Sequence, residues 1–326
     1  MMLCYRATCR LAGGLLVFGL LGACAGTPQT DRLLQSLPQE FARPVELSDT
    51  PFYPQEKYQC GPAALATVLR KQGVRTDPEQ LKDQVYIPAR QGSLQIEMIA
   101  ATRRHGLIPY VLRPELEEVL HEIRNGRPVL VLQNLGLSWY PAWHYAVLIG
   151  YNLQDEALVL RSGTTERYVM DLHTFERTWQ RGQRWAMVAL QPGELPVLPD
   201  EWRYLKAIVG FEQLQNWTTL NKAYDTGLGQ WPHSRELNMG YGNARYAQGD
   251  LDSARSRYQA VLARHPEYAP AHNNLAQVLA EQGEYGTALE HARRAIKLGG
   301  VHSAQYQATL REIEAMASDA KPAGTE

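Results

Sequence analysis

The sequence has few cysteines and lacks the short motifs that mark common metal and cofactor sites. Its 326 residues include four cysteines, at positions 4, 9, 24 and 60. No CxxC, HExxH or GxGxxG motif occurs, so neither a metal nor a cofactor is expected. Formal net charge is −1, and without a basic excess we expect no nucleic-acid partner.

The N-terminal segment has the pattern of an export signal. Arg6 and Arg10 precede an apolar run over 11–23, which is too short to cross a bilayer comfortably. The run ends in Leu21-Gly22-Ala23-Cys24, which resembles the lipobox of bacterial lipoproteins. The resemblance implies a lipid on Cys24 and, because Ala25 follows it, an outer-membrane location facing the periplasm. An ordinary secretory signal or an uncleaved anchor is the alternative.

After such processing, Cys60 is the only thiol left without a lipid. An unpaired cysteine in an oxidising compartment is a candidate reactive group. Cys60 precedes Gly61-Pro62 and an apolar helical pattern, and proline suits the first position of a helix. We therefore expect Cys60 at a helix N-terminus, where the helix dipole lowers a thiol pKa. A small buried cysteine at the start of an Ala-rich helix is the alternative.

Two further residues complete a candidate catalytic set. Gln55 lies five residues before Cys60 and offers an amide donor for an oxyanion. His144 begins an apolar strand, between Trp143 and Tyr145, and is the candidate base for a cysteine nucleophile. A core histidine bonded to the backbone is the alternative interpretation of His144.

Helical patterns over 60–126 are followed by strand patterns over 129–190. This order predicts an α+β fold in which the helices pack on an antiparallel sheet. Asp77 and Ser93 are expected to cap the second and third helices. Prolines at 192, 196 and 199 predict a linker that few contacts cross.

The C-terminal part of the sequence repeats with a period of 34 residues. Gly249 and Gly283 have this spacing, as do Ala254 and Ala288. The period resembles that of tetratricopeptide repeats and predicts an all-α domain of about three helix pairs. The first helix is expected over 202–213, with Gln215 in place of the turn glycine.

The N-terminal domain resembles the papain-like C39 peptidases, including the bacteriocin-leader peptidases. Gln55, the Cys60-Gly61-Pro62-Ala63 segment and the strand that begins at His144 carry the resemblance over about 50–191. It implies that Cys60 attacks a carbonyl carbon and that His144 accepts and later returns the proton. Gln55 and the Cys60 backbone N–H would hold the oxyanion.

The third catalytic position departs from the family pattern. An Asp or Asn is usual at the end of the next strand, and Ser162 falls there. A hydroxyl accepts a hydrogen bond from imidazole but does not stabilise imidazolium as a carboxylate does. Asn152, Asp155 and Asp171 are the alternative orienting groups.

Together these observations predict a lipid-anchored periplasmic cysteine peptidase. Its substrate would be a peptide or protein, and its repeats would recruit a protein partner. The alternative is a non-enzymatic adaptor lipoprotein in which a degenerate peptidase fold binds peptide. The predicted segments are the signal peptide 1–23, a tether 24–49, the peptidase domain 50–191, a linker 192–200, the repeat domain 201–317 and a disordered tail 318–326.

Overall fold

The structure is a computed structural model that describes residues 26–55 and 59–320. The predicted signal peptide, Cys24 and the last six residues lie outside the described residues. No helix within the described ranges is both long enough and apolar enough to cross a membrane.

The first half of the chain is a mixture of helices and strands, and the second half is helical. The helices of the first half are α1 (Pro28–Gln35), α2 (Cys60–Lys71), α3 (Pro78–Val85), α4 (Gln95–Arg104), α5 (Leu116–Arg124) and α6 (Leu172–Arg181). The strands are β1 (Val45–Glu46), β2 (Tyr86–Ile87), β3 (Gly92–Ser93), β4 (Ile108–Val111), β5 (Val129–Asn134), β6 (Trp143–Asn152), β7 (Ala157–Ser162), β8 (Thr165–Asp171) and β9 (Ala186–Leu190). The second half comprises α7 (Glu201–Ile208), α8 (Trp217–Gln230), α9 (Arg235–Ala247), α10 (Leu251–Arg264), α11 (Ala269–Glu281), α12 (Tyr285–Leu298) and α13 (Ser303–Asp319).

Seven strands form one antiparallel sheet, as the sequence predicts for an α+β fold. The order is β4-β9-β5-β6-β7-β8, and β1 adds to β6. Strand β6 is buried on both faces: Ala146 and Leu148 lie in one hydrophobic core, and Val147 and Ile149 lie in another. Helices α5 and α6 contribute to the first core, and α2 contributes to the second.

The capping predictions have mixed outcomes. The Asp77 side chain accepts a hydrogen bond from the Gln80 N–H and so caps α3 as expected. Ser93 does not cap α4. It lies in β3 instead, paired with Tyr86, and α4 begins two residues later without a side-chain cap.

The helical half confirms the repeat prediction. Gly249 and Gly283 end α9 and α11 with φ of 77° and 82°, in the left-handed conformation that glycine adopts without strain. Gln215 has φ of 49° at the turn before α8, so it adopts the same conformation at the position where the glycine is missing. Helices α7 to α12 form three pairs, and α13 packs on the last pair.

The predicted tether differs from the structure, because residues 28–46 are folded on the sheet. Leu33 of α1 and Phe41 are buried in the first core. The buried Glu176 carboxylate accepts hydrogen bonds from the backbone N–H groups of Gln29 and Thr30. The two apolar residues and the carboxylate give this polar segment long-range partners that local sequence does not show.

The expectation that few contacts cross the linker is wrong. Tyr204, Ile208 and Phe211 of the helical half lie in the same hydrophobic core as Ile108 and Tyr110 of β4. Within the linker, the Val197 N–H donates to the buried Glu122 carboxylate at 2.7 Å. The prolines do not separate the two halves, because the apolar face of α7 packs against β4.

The shared core predicts that the two halves unfold together. Replacing Phe211, which is 0% exposed, with Ala should lower the unfolding free energy by about 3–5 kcal/mol. Val209→Ala is the matched control, because that side chain is 39% exposed and should cost little. Urea unfolding followed separately by near-ultraviolet and far-ultraviolet circular dichroism should give coincident transitions. If Phe211→Ala lost its far-ultraviolet signal at a lower urea concentration than its near-ultraviolet signal, the shared core would be contradicted.

Candidate active site

Cys60 is the first residue of α2, as the sequence predicts. Its half-buried side chain packs against the second hydrophobic core. Burial raises the pKa of the thiol, and backbone N–H groups of Tyr145, Gly61 and Cys60 itself oppose that rise. The net direction is upward, so the expected low-pKa thiolate is not the state of this site. Burial outweighs the helix N-terminus.

His144 is the second residue of β6 and lies opposite Gln133 of β5. Its Nε2 is 2.9 Å from the Ser162 Oγ. Burial lowers the pKa of the imidazole, because an imidazolium loses more hydration than a neutral ring. His144 is therefore neutral near pH 7 and able to accept a proton.

Ser162 ends β7 and is the group that holds the imidazole. Asn152 and Asp155 bond to each other instead, and Asp171 caps α6 through the Thr174 N–H. Asn152 also ends β6, about 26 Å along the strand from His144 at roughly 3.3 Å per residue. The three alternative orienting groups are therefore wrong, and the orienting contact is a hydroxyl.

Gln55 is attached to the same turn. Its backbone N–H donates to the Gly163 carbonyl at 3.0 Å, which places it one residue from Ser162. The four candidates thus form a connected group: Gln55 beside Ser162, Ser162 on His144, and Cys60 against the backbone of Tyr145. Among the described residues no hydrogen bond joins the Cys60 thiol to the imidazole. Contacts of this kind commonly tighten only when substrate binds.

One residue of the site escaped the sequence analysis. Arg161 is 5% exposed, and its guanidinium donates to the backbone carbonyls of Ser48, Thr50 and Glu166. The available signal was a single charge inside the apolar run that begins at Leu158. No group of three or more potential metal-ligating side chains occurs in the described part of the chain.

Two family models match the chain. Residues 47–187 match the Peptidase_C39 like family, and residues 240–301 match the tetratricopeptide repeat. Both resemblances are confirmed: a region that matches the Peptidase_C39 like family is followed, in one chain, by a region that matches the tetratricopeptide repeat. No curated protein matches this chain.

Solved structures match each half. A protein described as a C39-like peptidase from Bacillus anthracis is 18% identical, and the match covers 46% of this chain and 98% of that one at a TM-score of 0.39. The peptidase domain of Streptococcus ComA, a bifunctional ABC transporter involved in quorum sensing, is 18% identical over 44% and 98%, at 0.36. The Yersinia enterocolitica secretion chaperone SycD, solved with a peptide of the translocator YopD, is 17% identical over 35% and 92%, at 0.33. The family of each region is assigned from the two family models and not from these structures.

The raised thiol pKa predicts slow alkylation at neutral pH. A higher pKa leaves a smaller thiolate fraction at any given pH, and the thiolate is the nucleophile. The rate of Cys60 carboxamidomethylation by iodoacetamide, followed by peptide mass spectrometry, should therefore rise with an apparent pKa above the ordinary value of about 8.5. His144→Ala should leave this profile nearly unchanged. A wild-type rate that is already maximal below pH 7, and that His144→Ala reduces, would instead indicate a preformed thiolate–imidazolium pair.

Proposed function

We propose that the protein is a membrane-anchored periplasmic cysteine peptidase that cleaves peptide or isopeptide bonds. The observation that supports this most is the 2.9 Å contact between His144 Nε2 and Ser162 Oγ. Because Nε2 bonds to Ser162, Nδ1 of the neutral imidazole is the nitrogen that can accept the thiol proton. Cys60, at the start of α2, lies against the backbone of Tyr145, which follows His144 in β6. The region that contains these groups matches a peptidase family.

The proposed reaction begins with a neutral pair. The imidazole keeps its proton on Nε2, where the N–H donates a hydrogen bond to the Ser162 hydroxyl oxygen, and it accepts the thiol proton on Nδ1 as Sγ attacks the carbonyl carbon. The Gln55 amide and the Cys60 N–H stabilise the oxyanion. The imidazolium then protonates the leaving amine, and the acyl-enzyme forms. The neutral imidazole then deprotonates a water molecule, which attacks the thioester carbonyl carbon. The C–S bond breaks, the product acid leaves, and the imidazolium returns its proton to the Cys60 sulfur.

Ser162 sets the speed of this reaction. A hydroxyl fixes the ring and its tautomer, yet it carries no charge to stabilise the imidazolium that forms during attack. The lowered pKa of His144 adds to that cost, because burial disfavours the same cation. We therefore propose a slow enzyme whose substrate arrives at high local concentration, delivered by the repeats.

Replacing Ser162 tests its role. Ser162→Ala removes one neutral hydrogen bond, worth about 1 kcal/mol, so turnover of a fluorogenic peptide pool should fall by about fivefold. Ser162→Asp should raise the imidazole pKa and increase turnover, because a carboxylate stabilises the cation. Thr165→Ala, at the exposed residue paired with Ser162, is the control and should change little. Unchanged turnover in both Ser162 variants would remove this residue from the mechanism.

The repeats supply the proposed recruitment site. A groove of about 410 Å³ between α9, α11 and α13 is lined mainly by amide and hydroxyl side chains, including Asn243, Asn273 and Gln277. Such groups hydrogen-bond to the backbone of an extended peptide. The proposed occupant is an unfolded segment of a partner or substrate protein.

The proposed anchor is a lipid on Cys24. Cys24→Ala removes the acylated thiol, so the variant should either appear in the soluble periplasmic fraction or remain unprocessed. Fractionation with radiolabelled palmitate measures both the location and the lipid, and Cys9→Ala is the control. A processed Cys24→Ala protein that still fractionates with the outer membrane would rule out this anchor.

A non-enzymatic adaptor is the second candidate function. The raised Cys60 pKa and the lack of a thiol–imidazole hydrogen bond in the described structure favour it. In that case Cys60→Ala would retain every cellular phenotype of the wild type. If the protein is a peptidase, Cys60→Ala should have the same phenotype as a deletion of the gene.

A further inference from the structure

The guanidinium of Arg161 donates to three backbone carbonyls, which lie in two separate segments of the chain. Nη2 donates to the carbonyls of Ser48 at 3.0 Å and Thr50 at 2.8 Å, and Nε also donates to Thr50, at 3.2 Å. Nη1 donates to the Glu166 carbonyl at 2.7 Å. The first two carbonyls lie on the irregular segment that leads to Gln55, and the third lies just beyond the turn that follows Ser162.

Within the described ranges, the charge of Arg161 has no buried counter-ion. Its ion-pair partner there is the Glu166 carboxylate, whose oxygen is 4.0 Å away on a side chain that is 68% exposed. A buried cation costs desolvation free energy, and an apolar side chain of similar size is often at least as stabilising. Stability alone therefore gives a weak reason for an arginine here. Its donors, each aimed at a backbone carbonyl, give a geometric reason.

The segment that leads to Gln55 is held at both of its ends. Between Thr50 and Gln55 the chain contains Pro51 and Pro54, whose rings fix two backbone angles and stiffen the segment. The far end is then held by the bond from the Gln55 N–H to Gly163. The position of Gln55 is thus set by Arg161 at one end and by the Ser162-Gly163 turn at the other.

We propose that Arg161 is a positioning residue for the oxyanion site. It clamps the segment that ends at Gln55 onto the β7–β8 turn, and so sets the Gln55 amide relative to Cys60. This inference rests on the proposed peptidase function and adds a residue that touches neither substrate nor the reacting atoms. Lysine cannot replace it, because one ammonium group lacks the planar fork that reaches these three carbonyls.

A tripeptide aldehyde and iodoacetamide together test the proposal. The Cys60 sulfur adds to the carbonyl carbon of acetyl-Leu-Leu-norleucinal, the thiol proton passes to the aldehyde oxygen, and a thiohemiacetal forms whose oxygen occupies the oxyanion site. Iodoacetamide alkylates the same sulfur with loss of iodide and needs no such site. The dissociation constant of the aldehyde and the alkylation rate are measured on the full chain.

Gln55→Ala should weaken aldehyde binding by about 100-fold, in line with the loss of one oxyanion donor. Arg161→Met should weaken it to a similar extent, and the double variant should be no weaker than either single variant, because both changes remove the same contact. Alkylation rates should stay within about twofold. Arg167→Met is the matched control, since that exposed guanidinium pairs with Glu46 and not with the Gln55 segment.

Amide hydrogen exchange gives a readout that does not depend on catalysis. Exchange of the Gln55 N–H should accelerate in Arg161→Met and not in Arg167→Met, and Arg161→Lys should show the same change if the Met variant does not fold. Additive losses in the double variant, or unchanged Gln55 exchange in a folded Arg161 variant, would overturn the positioning role. An aldehyde that fails to bind wild type while Gln55 exchange still responds to Arg161 would instead count against the peptidase function alone.

Discussion

Strand β6 must be covered on both faces, and this requirement organises the molecule. Its alternate residues enter two different hydrophobic cores, one beneath α2 and one beneath α5 and α6. A strand buried in this way cannot slip by one residue without exchanging the two cores. The register therefore fixes His144 at one end of β6 and brings Cys60, at the start of α2, against the backbone of the residue after it.

The fold class and the repeats could be predicted because their signals are local. Helical and strand periodicities appear within short windows, and the 34-residue period shows in the glycines at 249 and 283. The folding of residues 28–46 could not, because it depends on two buried apolar side chains and a carboxylate that is distant in sequence. The contact between α7 and β4 could not be predicted for the same reason. The prolines indicate a connection between two segments, but they give no information about which residues pack across it.

The candidate site divides in the same way. The positions of Cys60, His144 and Ser162 follow from motif and strand order, and the choice of Ser162 over three alternatives needed the register of β6 and β7. The direction of the Cys60 pKa could not be predicted, since burial and the helix N-terminus act in opposite directions and only the packing decides between them. Arg161 could not be assigned either, because its partners are backbone carbonyls, which every residue has.

Because the core is continuous between β4 and α7, the stability of the repeats contributes to the unfolding free energy of the peptidase region. A ligand that binds only folded repeats stabilises them by RT ln(1 + [L]/Kd), about 2.7 kcal/mol at one hundred times Kd. Since the two regions share buried side chains, that free energy also opposes unfolding around β4 and its neighbours. A partner held in the repeat groove would thus protect the peptidase region from heat and proteolysis without touching it.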